Sequence, residues 1–361
     1  MPTIYDIAKR VGVSASTVSR AFTDPERLNG RTKHRILEAA DALQYTHGRN
    51  REKSNQKSLA MQGEANIHVG FRYFEAASGD QWHTNSFFGR VLAGSLRQAS
   101  EEGVQVVLST GPLRFAADGS SLDVLPRSMI LAGPIAPDVV RYVVNGSDHC
   151  ILVHERDEDG RCDSIIADNF NGALDATNHL LRLGHRKIDF VTRDPSRLSF
   201  GERMDGYFTA MRRAGCEQFA TVIDEKAENY TVSLDAVIHR LSSEERPTGL
   251  VLATDDDVWV VQEACRRLDL SVPRDVSVVG FDDMPWSANI YPPLTTVRVD
   301  AELIGRIAMA RLIGSIRGDA SLLAGSPGVR ILAPAKLIER QSCASIPCNI
   351  EIGTDSNAGR A

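Results

Sequence analysis

The 361-residue sequence has no apolar run that approaches the roughly 20 residues a helix needs to cross a bilayer. Its first residues, Met1-Pro2-Thr3-Ile4-Tyr5-Asp6, lack the basic-then-apolar layout of a secretory signal. Together these absences predict a cytoplasmic protein without a membrane partner. Cysteine is sparse: Cys150, Cys162, Cys216, Cys265, Cys343 and Cys348 form no CxxC and have no neighbours at metal-ligand spacing. Reduced thiols are therefore expected, not a disulfide framework or a thiolate metal site. No nucleophile elbow, P-loop, HExxH or dinucleotide glycine fingerprint stands in a supporting context. No catalytic residue, metal or cofactor is expected.

What is present is an ordinary globular balance, 42% hydrophobic and 24% charged, on a chain long enough for a small and a larger domain. The charge is divided unevenly. Residues 1–57 hold 11 Lys and Arg against 6 Asp and Glu, a net of +5, which leaves −11 for the rest of a chain whose total is −6. A basic head on an acidic body suits contact with a polyanion, although a basic solubilising terminus would give the same charge.

The head reads as three short helices. Ile4, Ile7, Ala8 and Val11 repeat at helical spacing, with Thr3 as a candidate cap and Gly12 as a stop. Ser14 or Ser16 can cap a second helix whose inward face is Val18, Ala21 and Phe22. Ala15, Ser16, Ser19 and Arg20 then point outward. A third helix starts near Asn29 and runs to about Tyr45, with Ile36, Ala39, Ala40 and Leu43 inward. Two helices around a glycine turn, the second showing small polar residues and an arginine, have helix-turn-helix logic. Small side chains let a helix backbone come close to base edges, and Arg20 can fork onto a guanine, worth about 1–3 kcal/mol of discrimination.

The run Tyr5-Asp6-Ile7-Ala8-Lys9-Arg10-Val11-Gly12-Val13-Ser14-Ala15-Ser16-Thr17-Val18-Ser19-Arg20 closely resembles the DNA-binding head of the lactose-repressor (LacI/GalR) family. By position, the resemblance implies base contacts from Ala15, Ser16 and Arg20. It implies phosphate contacts from Tyr5, Ser14, Thr17, Asn29 and Thr32, which would fix register and make affinity salt-dependent. The stretch 47–64 is expected to be a polar linker or hinge. Lys57-Ser58-Leu59-Ala60-Met61-Gln62-Gly63 resembles the end of the family's hinge. Leu59 would then be a minor-groove wedge; it could equally begin the core domain.

From Ile67 on, apolar runs near 67–73, 104–109, 128–132, 150–154, 164–167, 187–192, 249–253, 276–281 and 328–333 alternate with helices. The helices fall near 86–102, 136–145, 171–183, 199–214, 230–242, 257–268 and 301–317, and Gly103, Gly146, Gly184, Gly215 and Gly318 stand at C-cap positions. This alternation predicts parallel sheets with helices on both faces and ligands at strand carboxyl ends. The span also resembles the family's periplasmic-binding-protein-like core of two Rossmann-like lobes. Leu183-Gly184-His185-Arg186-Lys187-Ile188, Arg203-Met204-Asp205-Gly206-Tyr207 and Val276-Ser277-Val278-Val279-Gly280-Phe281-Asp282-Asp283 carry that likeness. The expected plan is a helix-turn-helix domain over 1–46, the linker, a core over 65–342 and a flexible tail over 343–361. One lobe would take 65–163 with 299–322, the other 164–297 with 323–342.

The resemblance implies a small effector between the lobes. Arg203 would be the guanidinium fork that grips hydroxyls or a carboxylate, and Asp282 the matching acceptor. Of Phe87 and Phe88, one would cover a ligand face, with Phe88 preferred, and the other would be core. Asp168 could reach the ligand or merely cap the next helix. Thr254 would make a short contact, and Trp286 could line the cleft. Asp255-Asp256-Asp257 looks like a metal cluster but reads more plainly as acids at a helix N-terminus. A carbohydrate suits an Arg, Asp and aromatic set, and nucleobases are also known in the family. Without leucine heptads in the tail, a homodimer on double-stranded operator DNA is expected, acting more commonly as a repressor. The competing reading is a solute-binding or sensor protein of the periplasmic type that does not touch DNA.

Overall fold

In the head, the second and third helices begin where a side chain satisfies a free amide. The computed structural model describes residues 4–23, 28–43, 67–74, 86–116, 121–227, 231–318 and 328–346. It divides into two units, Met1–Ile67 and His68–Ala361. The first unit holds α1 (Ile4–Val11), α2 (Ala15–Thr23) and α3 (Gly30–Ala42). Gly12, at φ +73°, takes the left-handed turn that ends α1. Ser14 Oγ accepts the Thr17 amide at 3.1 Å, and Asn29 Oδ1 accepts the Arg31 amide at 3.0 Å. Ile7, Val11, Val18, Ala21, Ile36, Ala39 and Ala40 close the core, with Phe22 and Leu43 partly buried at its rim. Thr3, the linker with Leu59, and residues 347–361 lie outside the described residues.

The second unit opens with β1 (His68–Tyr73), α4 (Phe87–Glu101), β2 (Gln105–Thr110), β3 (Ser128–Ala132), α5 (Pro137–Gly146), β4 (His149–Val153) and β5 (Asp163–Ala167). It continues with α6 (Asn169–Arg182), β6 (Ile188–Val191), α7 (Leu198–Arg213), β7 (Thr221–Ile223), α8 (Leu234–Leu241), β8 (Gly249–Leu252) and α9 (Val258–Arg267). Last come β9 (Ser277–Asp282), β10 (Thr295–Val299), α10 (Ala301–Arg317), β11 (Arg330–Ala333) and β12 (Ala335–Ile338). Among the described residues these strands make two six-stranded sheets, ordered β11-β5-β4-β3-β1-β2 and β12-β10-β9-β8-β6-β7. All pairs are parallel except β10 with β12. Each sheet has its own apolar core. The fold class is that expected: a helical head followed by a two-lobed α/β core.

The sheet pairing moves the expected lobe boundaries. Strand β5 pairs with β4, and β11 pairs with β5, so both belong to the first lobe and not the second. The chain therefore crosses after Ala167, after Val299, and between Ala333 and Ala335. The expected crossings near 165 and 298 are close; the one near 323 is about ten residues early. Asp163 explains the difference. Its Oδ2 accepts Arg311 Nε at 2.7 Å and its Oδ1 accepts the Val329 amide at 2.9 Å, which holds the returning chain against the first sheet.

Four of the expected glycine caps (103, 184, 215 and 318) have positive φ, but Gly146 does not. It is the last residue of α5, and Ser147 follows in extended backbone with its Oγ on the Val143 carbonyl. The tail is docked further than expected. Ser342 is buried, His185 Nε2 lies 3.0 Å from the Ala344 carbonyl, and the Ile346 amide reaches the Leu183 carbonyl.

Helices α4 and α10 approach until backbones touch. A Cβ on Gly305 would lie 1.9 Å from the Val91 carbonyl oxygen, and one on Gly94 2.0 Å from that of Glu302. Ser95 Oγ donates to the Gly305 carbonyl across the seam at 3.1 Å. Gly305→Ala is expected to cost about 1–3 kcal/mol by forcing the helices apart. Urea unfolding measures this, and an unchanged midpoint would contradict the close approach.

Candidate functional site

In the first unit the candidate surface is the outer face of α2. Ser16 and Arg20 are exposed, Ala15 and Ser19 half-buried, and Tyr5 of α1 is 71% exposed. Ser14 Oγ meets Ser16 Oγ at 2.8 Å and Thr17 Oγ1 at 2.7 Å, so the helix start is a knot of small hydroxyls without bulk. Arg35 Nη2 donates to the Val11 carbonyl at 3.0 Å and ties α3 to the end of α1. Asn29 and Thr32 stand at the start of α3, where the Thr32 amide reaches the Asn29 carbonyl. The DNA-facing candidates thus share two helix starts and one exposed helix face, while Leu59 lies outside the described residues.

In the second unit the candidate site gathers at strand carboxyl ends. Arg203, on α7, is 2% exposed. Its Nε donates to Asn169 Oδ1 at 2.9 Å, its Nη1 to the Ala253 carbonyl, and its Nη2 stands 3.2 Å from Asp282 Oδ1. Its Cζ lies 3.7 Å from the centre of the Phe281 ring. Thr254 Oγ1 donates to Asp282 Oδ2 at 2.9 Å. Burial, the largest influence on both, lowers the Arg203 pKa and raises that of Asp282 despite their mutual attraction. Arg203, Thr254 and Asp282 are therefore brought together.

The strand end that presents Asp282 is unusual. Asp282 and Asp283 have φ of +113° and +50°, a left-handed pair without glycine. Side chains hold it in place. Asp283 accepts Arg298 Nε from β10 and Arg340 Nη2 from just beyond β12, both at 2.6 Å. Asp255 lies beneath, fully buried: its Oδ2 accepts the Met284 amide at 3.0 Å and Ser287 Oγ at 2.5 Å, its Oδ1 Thr296 Oγ1 at 2.6 Å. Burial, with Asp282 close by, pushes the Asp255 carboxyl up to about 7. So the acidic triplet is not simply a charged helix start. Asp255 and Asp257 are buried in a 3-10 turn before α9, and among the described residues no metal-ligating cluster forms.

Near these groups, His154 directly follows β4 with φ +60°. Its ring meets Phe87 edge-on at 4.6 Å and Phe88 at 6.0 Å, while Phe88 also packs on Tyr73 at 5.1 Å. Both phenylalanines, and not one of them, thus surround His154. At the first turn of α4 the two rings meet each other edge-on at 5.3 Å, and both stay half-buried instead of entering the core. Asp168 has taken its capping role: its oxygens accept from the Asn171 amide and side chain, and the next residue, Asn169, turns inward to Arg203. Trp286 meets Trp259 at a tilt, with ring centres 5.1 Å apart, and packs against the apolar core of the second lobe. Sequence reasoning missed Asn169, His154 and Asp255. Only His154 carried a readable signal, its place at the end of an apolar strand.

Comparison with known proteins matches these two units to two described models. "Bacterial regulatory proteins, lacI family" covers residues 3–47, and "Periplasmic binding protein-like domain" covers residues 177–343. The chain belongs to the LacI/GalR family of transcriptional regulators. Among its relatives is the HTH-type transcriptional regulator RegA of Clostridium saccharobutylicum, 27% identical over 86% of this chain and 91% of that protein. The probable HTH-type transcriptional repressor ExuR of Bacillus subtilis (strain 168) is 27% identical over 88% of this chain and 92% of its own. The lac repressor dimer bound to operator and the anti-inducer ONPF superposes with a TM-score of 0.63 at 22% identity, covering 95% of this chain and 99% of that one. That likeness establishes the fold. Among the described residues no helix is long and apolar enough to cross a membrane.

His154 gives this LacI/GalR-family cleft a pH signature. Burial and then the Arg203 charge push its imidazole down to about 3. The group is neutral in the fold but protonates near its ordinary value of about 6.5 when unfolded. Its contribution is therefore full above that value and is lost as pH falls toward 3. Between pH 7 and pH 5 the protein is expected to lose about 2 kcal/mol more than His154→Asn, which also tolerates positive φ. Parallel urea titrations check this; identical pH slopes would contradict a neutral buried imidazole.

Proposed function

We propose that this chain is a homodimeric transcription regulator, acting as a repressor in the cytoplasm, whose affinity for operator DNA is set by a small carbohydrate bound between its lobes. It is read as a binding protein and not an enzyme. The observation that carries the reading is the capped, small-sided and basic face of α2, joined in one chain to the buried Arg203–Asp282 cleft. Tyr5, Ser14, Thr17, Asn29 and Thr32 would hold phosphates, and Ala15, Ser16 and Arg20 would read bases in the major groove. Phe87, Phe88, Thr254, Arg203 and Asp282 would line the effector site, with His154 beside them. Asp168 serves that site indirectly, through the cap that directs Asn169 at Arg203.

Two exposed apolar surfaces support self-association. One is the edge strand β2 with Val107 and Leu108, beside Leu96 of α4; the other is Trp259 with Tyr291. Pairing of two copies would present two heads to a pseudo-palindromic site. The basic head argues against a periplasmic solute-binding role, which has no use for a base-reading helix. Arg20→Ala is expected to weaken binding to a selected operator duplex by about 1–3 kcal/mol while leaving nonspecific DNA affinity nearly unchanged. Fluorescence anisotropy across a salt series tests both halves. Equal losses on specific and nonspecific duplexes would sink the base-reading role, and an affinity flat in salt would sink phosphate contact.

A further inference from the structure

Three guanidinium groups surround one ring in the cleft. The Cζ atoms of Arg193, Arg197 and Arg203 lie 5.6, 5.5 and 5.7 Å from the centre of Phe200. Arg203 is hydrogen-bonded to Asn169 and Ala253 and paired with Asp282, whereas Arg193 has only long ion pairs and the Phe200 ring. Its side chain is only 14% exposed, its nearest carboxylate oxygens are on Asp257 at 3.7 Å and Asp256 at 3.9 Å, and it donates no hydrogen bond among the described residues. Those acids stand at Coulombic range without using its N–H groups.

Two buried polar atoms nearby are also unsatisfied: His154 Nε2, within the electrostatic reach of Arg203, and Asp257 Oδ2, on the carboxylate facing Arg193. Among the described residues no other buried side-chain polar atom lacks a partner. Leaving such groups unmet is costly, so their convergence calls for a ligand. A planar guanidinium offers a fork that matches an oxyanion better than a lone hydroxyl. The 16-residue helix α7 adds to this, because its N-cap is Arg197, which supplies no side-chain acceptor to the first-turn amides. The unused Asp257 oxygen supplies what an anion alone would not need, an acceptor for a hydroxyl.

We infer that the effector is an anionic carbohydrate, a polyol bearing a carboxylate or phosphate, with its charged group seated on Arg193 and a hydroxyl on Asp257. The inference rests on the reading of the cleft as a carbohydrate site and makes Arg193 the residue that selects charge. It is tested by calorimetry and thermal shift on the full chain with D-glucuronate, D-galacturonate and D-glucose 6-phosphate, each against neutral D-glucose and D-galactose. At least one anionic member is expected to bind tenfold or more tighter than its neutral parent, and the acid and phosphate arms show which oxyanion is used. Arg193→Gln should erase that preference, while Arg193→Lys should keep it at reduced affinity. A neutral sugar bound as tightly as its anionic counterpart, or a preference that survives Arg193→Gln, overturns the inference but leaves a carbohydrate effector standing. Saturable binding by none of the five overturns both. Should Arg193→Gln fail to fold, the wild-type preference and Arg193→Lys decide the matter.

Discussion

A buried guanidinium needs somewhere to put its charge, and Arg203 imposes that demand on the whole effector-binding core. Removed from water, it and Asp282 would each relax toward the neutral form, since burial outweighs their attraction in both. The pair persists because its remaining valences are met: Asn169 and the Ala253 carbonyl take two donors, Thr254 serves the carboxylate, and the Phe281 face covers the cation. The partners come from the ends of β8 and β9 and the start of α6. The polar site is therefore assembled where β8 and β9 end and α6 begins, around a side chain from α7, and its groups are held in place before anything binds.

The same strand end is linked to the lobe crossings. Asp283, next to Asp282, holds Arg298 just before the second crossing and Arg340 just beyond β12. The Asp168 amide at the first crossing donates to the Ala333 carbonyl at the third, at 2.8 Å. A ligand that draws on Asp282 thus acts one residue away from the ion pairs that anchor the chain beside two of the lobe crossings. Such a ligand shifts a two-state lobe arrangement only through its differential affinity, typically about 1–3 kcal/mol of coupling in allosteric proteins. The proposed control of operator affinity requires no larger figure.

The helices were legible because their signals are local. Ser14, Asn29 and Ser86 cap within three residues, and apolar spacing gave α1, α2 and α4 nearly to the residue. Strands β7, β10 and β12 escaped notice. Segments of three, five and four residues are too short to show a period, and β12 forms where β10 offers an edge. Arg203 and Asp282 were found through family resemblance; periodicity would have assigned Arg203 to a helix surface. Asp255 was illegible for a physical reason: its partners Met284, Ser287 and Thr296 lie 29 to 41 residues away, and nothing local distinguishes it from the exposed Asp256. Asp168 was ambiguous in sequence because it could reach a ligand or cap the next helix. It takes the cap, and Asn169 faces Arg203.

The dependence of the core on its buried pair is open to one direct measurement, a double-mutant cycle on unfolding free energy with Arg203→Met, Asp282→Asn and the two combined. Each single change leaves a buried charge or its hydrogen-bonding shell unmatched and should cost about 3 kcal/mol or more. The combined change should cost less than their sum by about 1.5 kcal/mol or more, since the second substitution removes what the first left stranded. Additivity to within about 0.5 kcal/mol would mean that the two groups are neighbours without being coupled, and that the cleft is held by something else.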